Sequence, residues 1–366
     1  MARRGDGSEI QSMRRLTILS IAYPLAPVSP DCVGGSEQVL HTLDAALTAT
    51  GHRSIVIACE GSRVMGELVS YPAPPTDRPI DDEIGLARQE AIRQATRYVL
   101  AARDIDVIHM HGLDFYSYLP PPGPPMLVTL HLPPGWYPPE AFDPPRPDTW
   151  VHCVSESQMR EAPSSPRLLP PIPNGVPVAE LGAVRPQRQD YALMLARVCP
   201  EKGLHVALDA AHAADSPLLI GGEVFPYPAH RAYFDDQVAP RLDRTRRYLG
   251  PVGFVEKRQL LAAARCLLVP SLVAETSSLV AMEAAACGTP VIAMRTGALP
   301  EIVEDGRTGF LVDDVAGMAA AICHAGEISP DACRAAALAR FTRERMAAAY
   351  LEQYGRLAGQ AASSAA

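Results

Sequence analysis

Short apolar runs alternate with helix-length segments along this chain, and they do so in two separate series. The first opens at Leu16–Ala22 (LTILSIA), whose unbroken apolar character fits a parallel strand buried on both faces. A loop with Pro24, Pro27 and Pro30 follows, and Gly34-Gly35-Ser36 then starts a helix from Glu37 to Ala49 that Gly51 closes. Ser36 suits the N-cap and Glu37 the first turn, where a hydroxyl accepts from a free amide and a carboxylate meets the positive helix end. Arg53–Cys59 reads as a second strand and Asp82–Ala102 as a helix. Val107–His109, Met126–Leu130 and Val151–Ser155 are further strands. The second series starts at Tyr191–Leu195 and continues through a helix at Lys202–Ala214 and a strand at Pro217–Ile220. Strands at Leu267–Pro270, Val291–Met294 and Gly309–Val312 complete it, and Arg343–Leu357 is a long amphipathic helix. Pro120–Pro125, Pro133–Pro147 and Pro163–Pro177 are expected to be loops, because proline lacks the amide donor and clashes with a preceding helical turn. The segment from Pro177 to Asp190 is the linker.

Two βαβ series joined by a linker predict two doubly wound α/β domains facing each other, with ligands held beyond the carboxyl ends of the strands, in the cleft between the sheets. A length of 366 residues agrees with two domains of about 100–200 residues each. The expected boundary places residues 1–180 in the first domain and residues 181–344 in the second.

Charge and cysteine usage exclude several functions. The net charge is −8, and residues 1–180 carry 14 Arg against 21 Asp and Glu with no Lys. That domain offers no basic face to nucleic acid or to an anionic membrane, so neither is expected as a partner. None of the eight cysteines falls in a CxxC pair, which points to free thiols rather than a disulfide framework or a zinc site. No apolar run reaches the roughly 18 residues of a membrane span. Residues Met1–Arg15 lack the apolar stretch of a signal peptide and read as a ragged extension, with Met13 a candidate start. A cytoplasmic protein is expected.

The chemistry concentrates in Val269–Ala293, VPSLVAETSSLVAMEAAACGTPVIA. A strand ends near Pro270, a loop carries Glu275, and a helix starts at Ser277 or Ser278, which puts Glu283 about a turn and a half into it. The helix N-terminus offers unpaired amides and partial positive charge to a phosphate. The carboxylates suit vicinal hydroxyls instead, one those of a sugar and the other those of a ribose. In Ala196–Leu204 (ARVCPEKGL), Arg197 and Lys202 flank a tight turn and can converge on one anion, such as a departing nucleoside diphosphate. Gly34 and Gly35 let backbone approach a ligand closely. In DVIHMHGLD, His111 emerges at a strand end and His109 packs inside, although the two could exchange these places. His131, in VTLHLPP, ends another strand on the acceptor side.

These stretches together resemble the retaining family 4 glycosyltransferases, a family of GT-B fold with an E-x7-E signature. The resemblance rests on Glu275 and Glu283, on the R-x4-K-G loop of Arg197 and Lys202, on GGSEQVLHTLDAALTATGHRS, and on CGTPVIA with GALPEIVEDGRTGFLV. It implies two Rossmann-like domains around a deep cleft, with a C-terminal helix at about residues 345–366 crossing back to complete the first domain. Catalytic roles then fall to Arg197 and Lys202 as the diphosphate clamp, Glu275 at the transferred sugar and His111 beside it. Donor contacts fall to Gly34, Gly35, Gly222, Val252, Ser277, Ser278 and Leu279, with Glu283 on the ribose. Ser277 and Ser278 stand where the family usually has an aromatic residue and a glycine, so the sugar pocket is expected to differ.

The resemblance further implies transfer from a UDP-, GDP-, ADP- or TDP-sugar with retention of configuration, and no metal or other cofactor. The net acidity of the first domain points to a small soluble acceptor, neutral or cationic. A homo-oligomer is compatible with the sequence. Two alternatives share the fold: a nucleotide-sugar epimerase, which needs no acceptor, and a non-catalytic nucleotide-sugar binding protein.

Overall fold

The computed structural model describes residues 14–32, 34–75 and 81–364, so the extension expected at residues 1–13 and the Met13 start lie outside the described residues. Thirteen named strands form two parallel sheets. The first holds β1 (Thr17–Ile21), β2 (Arg53–Cys59), β3 (Glu67–Tyr71), β4 (Val107–Met110), β5 (Met126–Thr129), β6 (Thr149–His152) and β7 (Leu168–Leu169), in the order β3-β2-β1-β4-β5-β6-β7. The second holds β8 (Ala192–Leu195), β9 (Leu218–Gly221), β10 (Arg246–Gly250), β11 (Cys266–Val269), β12 (Val291–Met294) and β13 (Gly309–Val312), in the order β10-β9-β8-β11-β12-β13. In each sheet the order reverses beside the first strand of its series, and that switch point opens a crevice at the strands' carboxyl ends.

The burial pattern explains why these runs are strands. Ile18, Leu19 and Ile21 of β1 are wholly buried, because helices cover both faces of the sheet. One of those faces is closed by the last helix, Arg343–Ser364. Its Met346, Tyr350, Tyr354 and Leu357 pack against Leu16, Ile18, Val39, Leu43 and Val107. Burying each large apolar side chain there stabilises the contact by about 1.5–3 kcal/mol. The terminal helix therefore belongs to the core of the first domain. The chain crosses between the domains twice, and the crossings run side by side: Val176 N donates to Phe341 O at 2.8 Å and Arg343 N donates to Val176 O at 3.1 Å. Gly175 fits there because a Cβ would lie 2.5 Å from Thr342 O.

Several expectations are corrected. The first helix begins at Gly35 with Gly34 as its cap, and Ser36 Oγ donates to Glu37 Oε2 at 3.0 Å instead of capping. The Pro133–Pro147 stretch contains two short 3₁₀ turns, Pro134–Trp136 and Pro139–Ala141, with proline in the first turn, where its missing amide would have had no partner. β6 ends at His152, and Ser155 caps a short helix instead, its Oγ accepting from Gln158 N at 3.1 Å. A 3₁₀ turn, Pro200–Lys202, and then Gly203 with φ +65° precede the helix Leu204–Ala213, so Lys202 lies in a turn and not in the helix. The described cysteines are all free, six of them buried. No described helix is long and apolar enough to cross a membrane.

Candidate active site

The loops leaving the carboxyl ends of the two sheets meet. Thr276 Oγ1, from the loop after β11, donates to the His131 carbonyl after β5 at 2.9 Å. Asp31 Oδ1 accepts from Phe254 N at 3.2 Å. A Cβ on Gly35 would lie 3.7 Å from Leu279 Cδ1, so the N-termini of the helices Gly35–Ala49 and Leu279–Cys287 face one another across the cleft.

Backbone stitching in the second domain places the charged groups. Gly203 packs so tightly that a Cβ would stand 2.2 Å from Pro270 O, and Leu272 N donates to Glu201 O at 2.8 Å. The turn carrying Lys202 is thereby fastened to the loop carrying Glu275. Gly297 does the same from the loop after β12, where its φ is +54° and a Cβ would lie 2.3 Å from Glu275 O. Gly222 closes the third side, since a Cβ there would lie 1.8 Å from Ala196 O, beside Arg197. Val252 packs against Gly221 at the same edge, its Cγ2 2.7 Å from where a Cβ would stand.

On this frame Lys202 Nζ donates to Glu275 Oε1 at 2.6 Å, and Ser271 Oγ donates to the same oxygen. Eight residues along the chain, Glu283 pairs with the other lysine: Lys257 Nζ lies 2.6 Å from Glu283 Oε1, with the ammonium 5.6 Å from the centre of the Phe254 ring. Glu283 is buried, at 4% exposure, in an alanine-rich helix that is apolar around it, and Lys257, on the helix Phe254–Ala263, is 14% exposed. Ser278 precedes the first residue of this helix, and its side chain makes no capping bond. The buried hydroxyl of Ser277 has no hydrogen-bond partner. A buried hydroxyl left unpaired costs free energy, so the position suits a group that a ligand would bring.

Arg197 is exposed, and its positive charge reaches Glu37 and Tyr23 of the first domain. Burial raises the Glu37 carboxyl above the usual carboxylate range, and Arg197 partly offsets this. The Glu37 side chain folds back over Gly34, where a Cβ would lie 1.9 Å from Glu37 Oε2.

The histidines of the first domain are arranged differently from the expectation. Both His109 and His111 are buried. The two ring nitrogens of His111 are taken by neighbouring histidines, Nε2 by His109 Nδ1 at 3.1 Å and Nδ1 by His131 Nε2 at 3.2 Å. His131 is half-buried and stands at the cleft end of this row. Burial, followed by the repulsion of neighbouring histidines, holds His109 and His111 well below the usual imidazole range.

Thus Arg197, Lys202, Glu275, Glu283, Ser277, Ser278, Leu279, Gly34, Gly35, Gly222 and Val252 all lie on the loops and helix ends around one cleft. Two contributors escaped the sequence reading. Gly297 opens the GALPEIVEDGRTGFLV stretch, where nothing local marks it as a close-packing position. Lys257 did carry one, as one of only two lysines in the chain.

Family models match most of the chain in two parts. Residues 33–180 match "Glycosyltransferase Family 4" and residues 189–327 match "Glycosyl transferases group 1". The glycogen synthase of Mycobacterium tuberculosis is 27% identical over 91% of this chain and 90% of its own length. The D-inositol 3-phosphate glycosyltransferase of Corynebacterium efficiens is 42% identical, but over only 26% of this chain and 22% of that relative. Among solved structures, AviGT4, a glycosyltransferase involved in avilamycin A biosynthesis, is 26% identical with a TM-score of 0.71, covering 94% of this chain and 98% of that one.

Proposed function

Because the chain belongs to the family 4 glycosyltransferases and has their GT-B fold, we propose that its cleft moves a sugar from a nucleoside-diphosphate donor to a small hydroxyl-bearing acceptor, with retention of configuration. The observation that carries this reading is the pairing of two lysines with two glutamates along one helix and the loop before it, each pair at 2.6 Å. Such pairs pre-position cations and hydroxyl acceptors at the site where a diphosphate meets its sugar and its ribose.

In this reading the diphosphate lies between the two facing helix N-termini and the Arg197–Lys202 turn. Charge grows on the departing phosphate as the glycosidic bond breaks, and fixed cations aimed at it stabilise the transition state more than the ground state. Arg197 supplies a planar fork and Lys202 a point charge. Glu275 already orients Lys202 and has a second oxygen for a sugar hydroxyl. Glu283 accepts from the ribose diol, and Ser277 Oγ gains the partner it lacks. The acceptor attacks the face that the diphosphate leaves, its oxygen bonds to the anomeric carbon, and its proton passes to the departing phosphate oxygen. The clamp, and not a metal ion, meets the diphosphate charge, so activity should persist in excess chelator. The low basicity of the first domain favours a neutral or cationic acceptor.

Binding of UDP-, GDP-, ADP- and TDP-glucose, measured by thermal shift on the wild type and on Arg197→Ala/Lys202→Ala, tests this. One donor should stabilise the wild type strongly and the double variant little. Equal stabilisation of both removes the clamp from the mechanism, and no stabilisation by any of the four counts against the donor reading. An epimerase would convert the bound sugar without an acceptor, which chromatography of the donor after incubation distinguishes.

A further inference from the structure

We infer that Glu301 and Asp31 register the acceptor wall of the cleft against its donor wall, each being a carboxylate that one domain lends to a helix N-terminus of the other. The registry stands on these contacts alone, whereas its effect on the chemistry rests on the transfer reading above.

The first amides of a helix have no partner within it, and each of these two helices receives one from the opposite domain. Before the helix Glu156–Glu161 of the first domain stands Ser155, whose Oγ accepts from Gln158 N at 3.1 Å. The two amides ahead of Gln158 go to Glu301, on the short helix Leu299–Ile302 of the second domain. Its Oε2 accepts from Glu156 N at 3.1 Å and its Oε1 from Ser157 N at 2.5 Å. Before the helix Phe254–Ala263 of the second domain stands Gly253, which has no side chain to cap with, and Asp31 Oδ1 of the first domain accepts from Phe254 N at 3.2 Å. Arg63 Nη2 holds the other oxygen of Asp31 at 2.6 Å. A carboxylate in either place also meets the positive end of the helix. Glu301 is half-buried and takes two amides, while Asp31 is exposed and takes one, so Glu301 is the stronger cap.

Both caps lead into the site. Ala298 N donates to Glu275 O at 2.7 Å and Glu301 N to Ala298 O at 3.0 Å, so Glu301 is fastened to the loop that carries Glu275. On the first-domain side, Gln158 lies in the helix that Glu301 caps, and its Nε2 donates to Leu130 O at 2.9 Å and to Leu132 O at 2.8 Å. The carbonyl between those two accepts from Thr276 Oγ1. The loop after β5 is thus tied to the Glu275 loop twice, directly by Thr276 and through Gln158 by Glu301. Asp31 reaches the helix whose Lys257 holds Glu283. The caps follow β1 and β6, which β4 and β5 separate, so they grip the cleft at two distant points and each resists rotation about the other. A shift of about 1 Å in the reacting groups can cost roughly 10²-fold in rate. Glu301 and Asp31 act through the loops and helices they hold and are positioning residues.

Small-angle scattering of the full chain tests the registry without any substrate. Asp31→Ala/Glu301→Ala should have a larger radius of gyration than the wild type with an unchanged circular dichroism spectrum. Glu301→Ala alone should show a smaller increase and Asp31→Ala a smaller one still. Glu301→Gln keeps one acceptor oxygen and should fall between the wild type and Glu301→Ala. A double variant as compact as the wild type overturns the inference. Arg160→Ala is the control, since Arg160 forms only an exposed pair with Glu301 at 3.7 Å, and such pairs are worth little. Expansion of that variant would assign the contact to the ion pair and overturn the caps. The positioning role is read from slow hydrolysis of UDP-, GDP-, ADP- and TDP-glucose, in which water stands in for the acceptor. Glu301→Ala, which loses two charge-assisted hydrogen bonds, should lower kcat about tenfold or more with the donor KM within about twofold. A raised KM with kcat unchanged, or no change in either, overturns that role. If the wild type hydrolyses none of the four donors, the transfer reading and the positioning role fall together, while the scattering still decides the registry.

Discussion

Lys257 and Glu283 form an ion pair of 2.6 Å on the buried side of the cleft, and neither residue has another charged partner among the ion pairs described. Taking one partner from a buried pair leaves an uncompensated charge, which costs about 3–5 kcal/mol. Lys257→Met should therefore lower the stability measured by urea denaturation by an amount in this range. It should also weaken nucleotide binding, because Lys257 no longer holds the Glu283 carboxylate in place to accept from a ribose diol. Isothermal titration should show the preference for ribo- over 2′-deoxynucleotide shrinking. Lys257→Met/Glu283→Gln should recover much of the stability and none of the preference. A single variant as stable as the wild type would remove the pair from this account.

The second pair predicts an effect on chemistry instead. Lys202 is only partly buried, and Glu275 and the loop geometry hold its ammonium in place. Lys202→Ala should lower kcat by about 10²–10³, the usual cost of one group aimed at developing charge. Lys202→Arg should restore little, because a planar fork cannot take the place of a point charge at a site already contacting Glu275 and Ser271. Steady-state kinetics with the preferred donor decides this, and an arginine variant within a few-fold of the wild type would contradict it.

Most of the architecture was legible because the strands buried on both faces advertise themselves as apolar runs: Arg53–Cys59, Val291–Met294 and Gly309–Val312 end where the runs end. The strands that escaped were those with polar residues. Glu67–Tyr71 and Arg246–Gly250 lie at the sheet edges, and Leu168–Leu169, also an edge, is only two residues long. The proposed site was legible where its residues sit in one local motif, as with Arg197, Lys202, Glu275 and Glu283. It was not legible where residues far apart in sequence meet. His109 and Tyr354 are 245 positions apart, and no periodicity links them. The choice between His109 and His111 turned on the packing of the last helix, which sequence spacing does not contain.

Gly203 tests the stitching of the site. Its φ of +65° and the 2.2 Å that a Cβ would leave to Pro270 O both oppose any side chain. Gly203→Ala must strain the backbone or push the two loops apart. A left-handed non-glycine residue alone costs of order 1–3 kcal/mol. The denaturation midpoint should fall accordingly, and kcat should fall further than the loss of folded protein explains, because Lys202 moves with the turn. A variant that loses stability but keeps its kcat per folded molecule would separate the loop's fold from its chemistry.

The buried histidines set a pH dependence whose sign follows from their direction. His131 and His152 are held at about 3 and about 4, and His109 and His111 well below their ordinary value, all chiefly by burial. In the unfolded chain they titrate near the usual ~6.5. Below that value the unfolded state binds protons that the folded state refuses, so stability must fall as the pH drops. Each such group contributes a slope of up to about 1.4 kcal/mol per pH unit between its unfolded and folded values. The buried Glu37, whose carboxyl is raised, acts in the opposite direction, but as one group against these four and against His41, His52, His205 and His230, which burial also lowers. Urea midpoints measured from pH 7.5 to pH 5 should therefore decline more steeply than a single titrating group allows. His152→Gln, which removes one of the four, should flatten the curve even if it lowers the midpoint at neutral pH. A midpoint that stays constant across this range would mean that the row of rings accepts a proton in the folded state.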